Sequence, residues 1–87
     1  MTELDNEARR ILNLARQAYL QGDYMYALNV VGDDLVPFYV ENKQDLTNEQ
    51  LSGYIEKFTE AYDNNDYESL LSVAAEANEF YVQQGWW

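Results

Sequence analysis

The sequence predicts an all-α protein: a compact antiparallel four-helix bundle built from two similar helical hairpins, the second helix kinked near Gly32 and Pro37. Three observations carry that prediction. Apolar residues recur at helical spacing along almost the whole chain, and nothing alternates with the period of two of a strand over a useful length except around Pro37. A helix end, tight turn and helix start at residues 18–28 return 43 residues later at 61–71, and six of the 13 aligned positions from Ala18/Ala61 to Val30/Val73 are identical. The connections are short and polar, so antiparallel neighbours are the simplest packing.

The first helix is expected over residues 3–21. Thr2 with Asp5 three residues on resembles a capping box. Leu4, Ala8, Ile11, Leu12, Ala15, Ala18 and Tyr19 then form one apolar stripe. Acids fill the first turn and arginines follow, as the helix dipole favours. Gly22 can stop the helix in the left-handed conformation, and Asp23 can cap the next one.

The second helix is expected over 24–41. Tyr24, Ala27, Leu28 and Val31 make its stripe, continued by Leu35, Phe38 and Tyr39. Gly32-Asp33-Asp34 and Pro37 interrupt it, because Pro37 has no N–H to donate to the ladder. A break at 32–36, with Asp34 capping the resumed helix, would leave Pro37 in a first turn, where it is tolerated.

Thr47 with Gln50 reads as a capping box for a third helix over 48–62, whose stripe is Leu51, Tyr54, Ile55, Phe58, Ala61 and Tyr62. Asp63-Asn64-Asn65-Asp66 is turn chemistry. The fourth helix, 66–84, is capped by Asn65 or Asp66 and carries Tyr67, Leu70, Leu71, Ala74, Ala77 and Tyr81, widened by Val73 and Phe80. Gly85 ends it, leaving Trp86 and Trp87 as a tail.

Eighty-seven residues make one domain, residues 1–87, and a chain of this size buries only about 60–65% of its unfolded surface. Cys and His are both absent, which excludes disulfides, thiolate or imidazole metal sites and the usual nucleophile–base pairs. No cofactor and no metal is expected. No apolar run approaches the length of a membrane span, and the acidic start does not read as a signal peptide, so a cytoplasmic protein is the expectation.

The formal net charge of −11 is unevenly placed. Residues 1–21 balance Glu3, Asp5 and Glu7 against Arg9, Arg10 and Arg16, whereas residues 22–87 carry thirteen acids against Lys43 and Lys57. Such a field repels nucleic-acid phosphate and favours basic partners. Direct nucleic-acid binding is therefore not expected, and solubility alone is the plainer reason for the acidity.

The two hairpins resemble tetratricopeptide-type helix pairs, in which a small residue and an aromatic precede a Gly-Asp-Tyr-like turn. Ile11, Leu14, Ala15, Ala18, Tyr24, Ala27 and Val31 fall at compatible positions in the first pair. Tyr54, Phe58, Ala61, Tyr67, Leu70, Ala74 and Ala77 do so in the second. That resemblance implies a protein-binding scaffold. Separately, Asn42-Lys43 followed by Leu46-Thr47-Asn48-Glu49-Gln50-Leu51 is similar to the loop entering the last helix of small four-helix immunity proteins of bacteriocin producers. A Trp-containing tail also occurs in them, so this resemblance implies an immunity function.

Candidate carboxylate pairs for acid–base work, Asp33/Asp34 and Asp63/Asp66, sit where capping or turn formation explains them more simply. Asp63 and Asn65 open an EF-hand-like pattern that fails at Tyr67, Glu68 and Ala74, the fifth, sixth and twelfth positions. The remaining candidates are for partner binding. Glu68, Glu76 and Glu79 lie within about 80° on one helix face, and with Asp63 and Asp66 they form an acidic surface, or more simply a solvated one. Trp86 and Trp87 are an apolar lid folded back on the bundle, a partner hot spot or, against the acidic surroundings, an anchor at a membrane interface.

The chain is thus expected to be a non-enzymatic protein-binding domain, an inhibitor, immunity protein or adaptor with a basic partner. A DNA mimic occupying a phosphate-binding site is the alternative, and a homodimer would also account for exposed tyrosines.

Overall fold

The computed structural model describes residues 2–86. They form α1 (Glu3–Leu20), α2 (Tyr24–Val30), a π-helical turn (Val31–Leu35), α3 (Val36–Asn42), α4 (Glu49–Asp63) and α5 (Tyr67–Gln84), with no strand among them. Val31, Leu35 and Val36 all keep right-handed helical dihedrals, so α2, the π turn and α3 run on as one rod. Four rods result, as the periodicity requires. Trp87, expected as part of the tail that binds a partner or covers the bundle, lies outside the described residues.

The two hairpin turns are one device used twice. At the first, Asp23 N–H donates to Ala18 O at 3.0 Å and Gly22 N–H to Tyr19 O at 3.1 Å. At the second, Asp66 N–H donates to Ala61 O at 2.9 Å and Asn65 N–H to Tyr62 O at 3.1 Å. This is the Schellman arrangement, which requires a left-handed residue at Gly22 (φ 81°) and at Asn65 (φ 53°). The following aspartate is also the next N-cap: Asp23 accepts from Tyr26 N–H, and Asp66 accepts from Ser69 N–H and Oγ. Asn tolerates the left-handed region less well than Gly. Asn65→Gly is therefore expected to stabilise the fold by about 0.5–1 kcal/mol, read as a raised urea midpoint with an unchanged slope.

The irregularity expected at 32–36 is a π-helical turn rather than an interruption. Asp34 does not cap a new helix; no side chain caps α3 at all. Instead Val36 N–H donates to Val31 O, five residues back. Widening the helix by one residue accommodates Pro37, whose ring and missing N–H are incompatible with regular α-helical bonding to the fourth residue back. Gly32 serves a second constraint, because a Cβ there would stand 2.7 Å from Tyr62 Cζ of α4.

Consecutive rods are antiparallel, as are α1 and α5, whereas α1 and α4 touch across the bundle and run parallel. Tyr81 and Asn78 of α5 meet Arg9 and Arg16 of α1, and Gly32 meets Tyr62 across the second interface. Leu12, Leu35, Leu51, Ile55, Phe58 and Leu70 are wholly buried at the centre. Each such side chain contributes about 1.5–3 kcal/mol of burial free energy. Both hairpin turns consequently lie at one end of the bundle, and the α3–α4 loop lies at the other with the start of α1.

That far end holds a correction to the expected capping. The capping box at Thr2 and Asp5 forms, but none forms at Thr47 and Gln50. Asn48 is the N-cap of α4, accepting from Leu51 N–H at 3.1 Å. Thr47 is instead committed to Asp5. The Asp5 carboxylate accepts from the Thr47 hydroxyl and from Thr47 N–H at 2.9 Å and Asn48 N–H at 3.3 Å, besides Thr2 N–H and Oγ. Asp5 is closed off from solvent, and one carboxylate thus ties the start of α1 to the start of α4.

Candidate functional site

The helical stripes do not all end up inside. Tyr24, Tyr67 and Leu71, assigned by spacing to core stripes, are 51%, 55% and 41% exposed. Their position explains it: Tyr24 and Tyr67 are the first residues of α2 and α5, and Leu71 lies one turn on, all at the end of the bundle where the two hairpin turns lie. Eight large apolar residues are exposed among the described residues, and six of them (Leu20, Tyr24, Met25, Tyr26, Tyr67, Leu71) lie in or just beyond the two hairpin turns. That concentration at one end distinguishes them from singly scattered surface apolar residues.

Between the turns lies a groove of about 250 Å³ lined by Tyr19, Tyr24, Leu28, Tyr67 and Leu71. Its walls are repeat-related, Tyr24/Leu28 from the first hairpin and Tyr67/Leu71 from the second. Tyr19 lies against both α2 and α4, its ring centroid 6.1 Å from those of Tyr24 and Phe58. The Tyr19 hydroxyl is buried and finds no hydrogen-bond partner among the described residues. Burial, reinforced by the neighbouring Tyr67, pushes its phenol up to about 12.

A buried donor without a partner is a destabilising element. Tyr19→Phe is therefore expected to stabilise the isolated protein by about 1 kcal/mol. A raised phenol pKa contributes stability that is whole below the unfolded value near 10 and is lost as pH rises toward 12. The Phe variant should accordingly lose less stability than the parent between those pH values, measured as urea midpoints.

The acidic candidates run from the second hairpin turn along α5. Glu68 directly follows Tyr67 and stands beside the groove wall, while Asp63 ends α4. Glu76 is half exposed and paired with Lys57 at 3.3 Å, and Glu79 is exposed farther along α5. Among the described residues no three carboxylates come together in a way that could hold a metal ion. Asp66 is lowered by its hydrogen bonds from Ser69.

Trp86 lies at the opposite end from the groove, folded back on the bundle. Gly85 (φ 73°) makes a third Schellman turn, with Trp86 N–H donating to Tyr81 O at 3.0 Å. The indole meets Phe80 and Tyr81 edge-on, each at 5.4 Å between centroids, and the Arg9 guanidinium lies 4.9 Å from its ring centre. Arg16, wholly buried, covers the Tyr81 ring at 4.5 Å and donates to Asn78 at 2.6 Å. Tyr81 in turn donates to Arg9 O at 2.6 Å, and Arg10 pairs with Glu7 at 2.6 Å. The arginines that make α1 electrically neutral are thus engaged within the fold.

No family model, curated protein or solved structure matches this chain. The case for a functional surface therefore rests on the groove itself. Spacing alone did not separate its residues from the core, yet a signal was present. Tyr24/Tyr67 and Leu28/Leu71 are among the six identities of the repeat, alongside the capping aspartates.

Proposed function

We propose that the chain is a non-enzymatic protein-binding domain, an inhibitor, immunity protein or adaptor, whose partner is a basic protein surface. The observation that carries this reading is the aromatic and apolar groove between the hairpin turns of a protein with a net charge of −11. Tyrosine-rich patches with partly exposed apolar neighbours are typical of interface centres, and charged surroundings steer association and select the partner. Both wall tyrosines directly follow N-cap aspartates, Asp23 and Asp66. The acidic row on α5 is a weaker candidate, since Glu76 is already paired with Lys57. The tetratricopeptide-like pattern of the hairpins agrees with a binding scaffold.

The chain, immobilised and exposed to lysate of its native host at low salt, should retain a protein that elutes as salt rises. A Tyr24→Ala/Leu71→Ala variant should lose most of that retention while keeping its helical circular dichroism. Absence of any retained protein at low salt would count decisively against the proposal.

A further inference from the structure

The composition of the groove selects one kind of side chain from the partner; the inference deepens the binding role proposed above and rests on it. Three tyrosines line the space, Tyr24 and Tyr67 from separate walls and Tyr19 beside Tyr24 with its ring centroid 6.1 Å away. Aromatic faces attract cations, most strongly where water is excluded. Neither α2 nor α5 carries a single basic residue, and Asp23, Asp66 and Glu68 adjoin the wall tyrosines in sequence, so the two wall helices bring negative charge and no positive charge.

We infer that the groove receives one long cationic side chain of the partner, a lysine or arginine. Its methylene stem lies along Leu28 and Leu71, and its charged head lies against the faces of Tyr24 and Tyr67. A stem in an apolar slot with its head at a polar edge is how such side chains bury themselves. The fold already pairs cations with rings elsewhere: Arg9 on Trp86, Arg16 on Tyr81 and Lys57 on Tyr54 at 5.5 Å. A second copy of this chain is a poor occupant, because it brings its own charge of −11.

The test is a nuclear magnetic resonance titration of the full chain with n-butylguanidinium and, separately, with the neutral pentan-1-ol. The cation should shift the side-chain signals of Tyr24, Leu28, Tyr67 and Leu71 and half-saturate them at roughly five-fold lower concentration than the alcohol. Tyr67→Leu should bring the two probes to near parity, while Tyr67→Phe, which keeps the ring face, should preserve the preference. Equal or tighter binding of the alcohol would overturn the assignment in favour of an apolar anchor. Groove shifts that follow protein concentration without any probe would overturn it in favour of self-association. No groove shift with either probe would also overturn it. If the cation is ignored but the chain still retains a basic protein at low salt, only the side-chain assignment fails; loss of both removes the binding role as well.

Discussion

Replacing Asp5 by Ala is expected to destabilise the fold by about 3–4 kcal/mol, a large share of the roughly 4–13 kcal/mol available to a chain of this size. The carboxylate is the common acceptor for Thr2, Thr47 and Asn48, and it is closed off from solvent. Its removal takes away charge-assisted hydrogen bonds and leaves backbone donors of the α3–α4 loop without an acceptor. Burial pushes the Asp5 carboxyl up, but the hydrogen bonds from Thr47 and Thr2 outweigh it and hold the group well below the usual carboxylate range. The sign follows. A group with a depressed folded pKa contributes stability that is whole above its unfolded value near 4 and is lost as pH falls through the folded one. Asp5→Asn should therefore be far less stable than the parent at pH 7, and the gap should narrow below about pH 4. Urea midpoints of both proteins at pH 7 and pH 3 check this. A gap that stays constant would mean the carboxylate's charge is not what its five donors need.

Arg16→Ala should cost about 3–4 kcal/mol through two additive losses. The guanidinium donates to Asn13 Oδ1 at 2.5 and 3.2 Å and to Asn78 Oδ1 at 2.6 Å, so its removal takes the donors from two amide oxygens at the α1–α5 seam. It also fills the space over Tyr81. Lysine cannot substitute. A single ammonium lacks the planar fork that reaches Asn13 and Asn78 together while stacking on the ring. Arg16→Lys is expected to lose about 2 kcal/mol. Thermal unfolding followed by the near-ultraviolet signal of Tyr81 and Trp86 would report both variants. Equal stability of Lys and Arg at this position would show that charge, and not the fork, is what matters.

Much of the bundle was legible because the signals were local. The Thr2/Asp5 capping box, the left-handed stops at Gly22 and Gly85, and the stripes of α1 and α4 all depend on residues within one or two turns of each other. Pro37 marked where the second rod departs from α-helix, but not how. A break and a π turn relieve the same clash, and only packing of the flanking Val31 and Leu35 into the core favours keeping the rod continuous. Thr47 illustrates the opposite case. Its spacing to Gln50 is right for a box, yet Asp5, 42 residues away, provides a buried charged acceptor that a local box cannot match. The uneven charge was visible, whereas the reason α1 is neutral was not. Its arginines answer to α5, to the folded-back Trp86 and to Glu7.

The sequence by itself determined an all-helical chain, the two repeated hairpins and the acidity of everything after the first helix, because helix periodicity, cap chemistry and charge are properties of neighbours along the chain. Tertiary structure alone decided which stripe residues are core and which are surface. Tyr67 and Leu70 share one stripe three residues apart, but Leu70 is wholly buried in the core while Tyr67, the first residue of α5, is 55% exposed. A helical period records direction around an axis and carries no information about where a neighbouring helix stops. The groove exists at that boundary, where two copies of one turn meet and their apolar faces run out of partners.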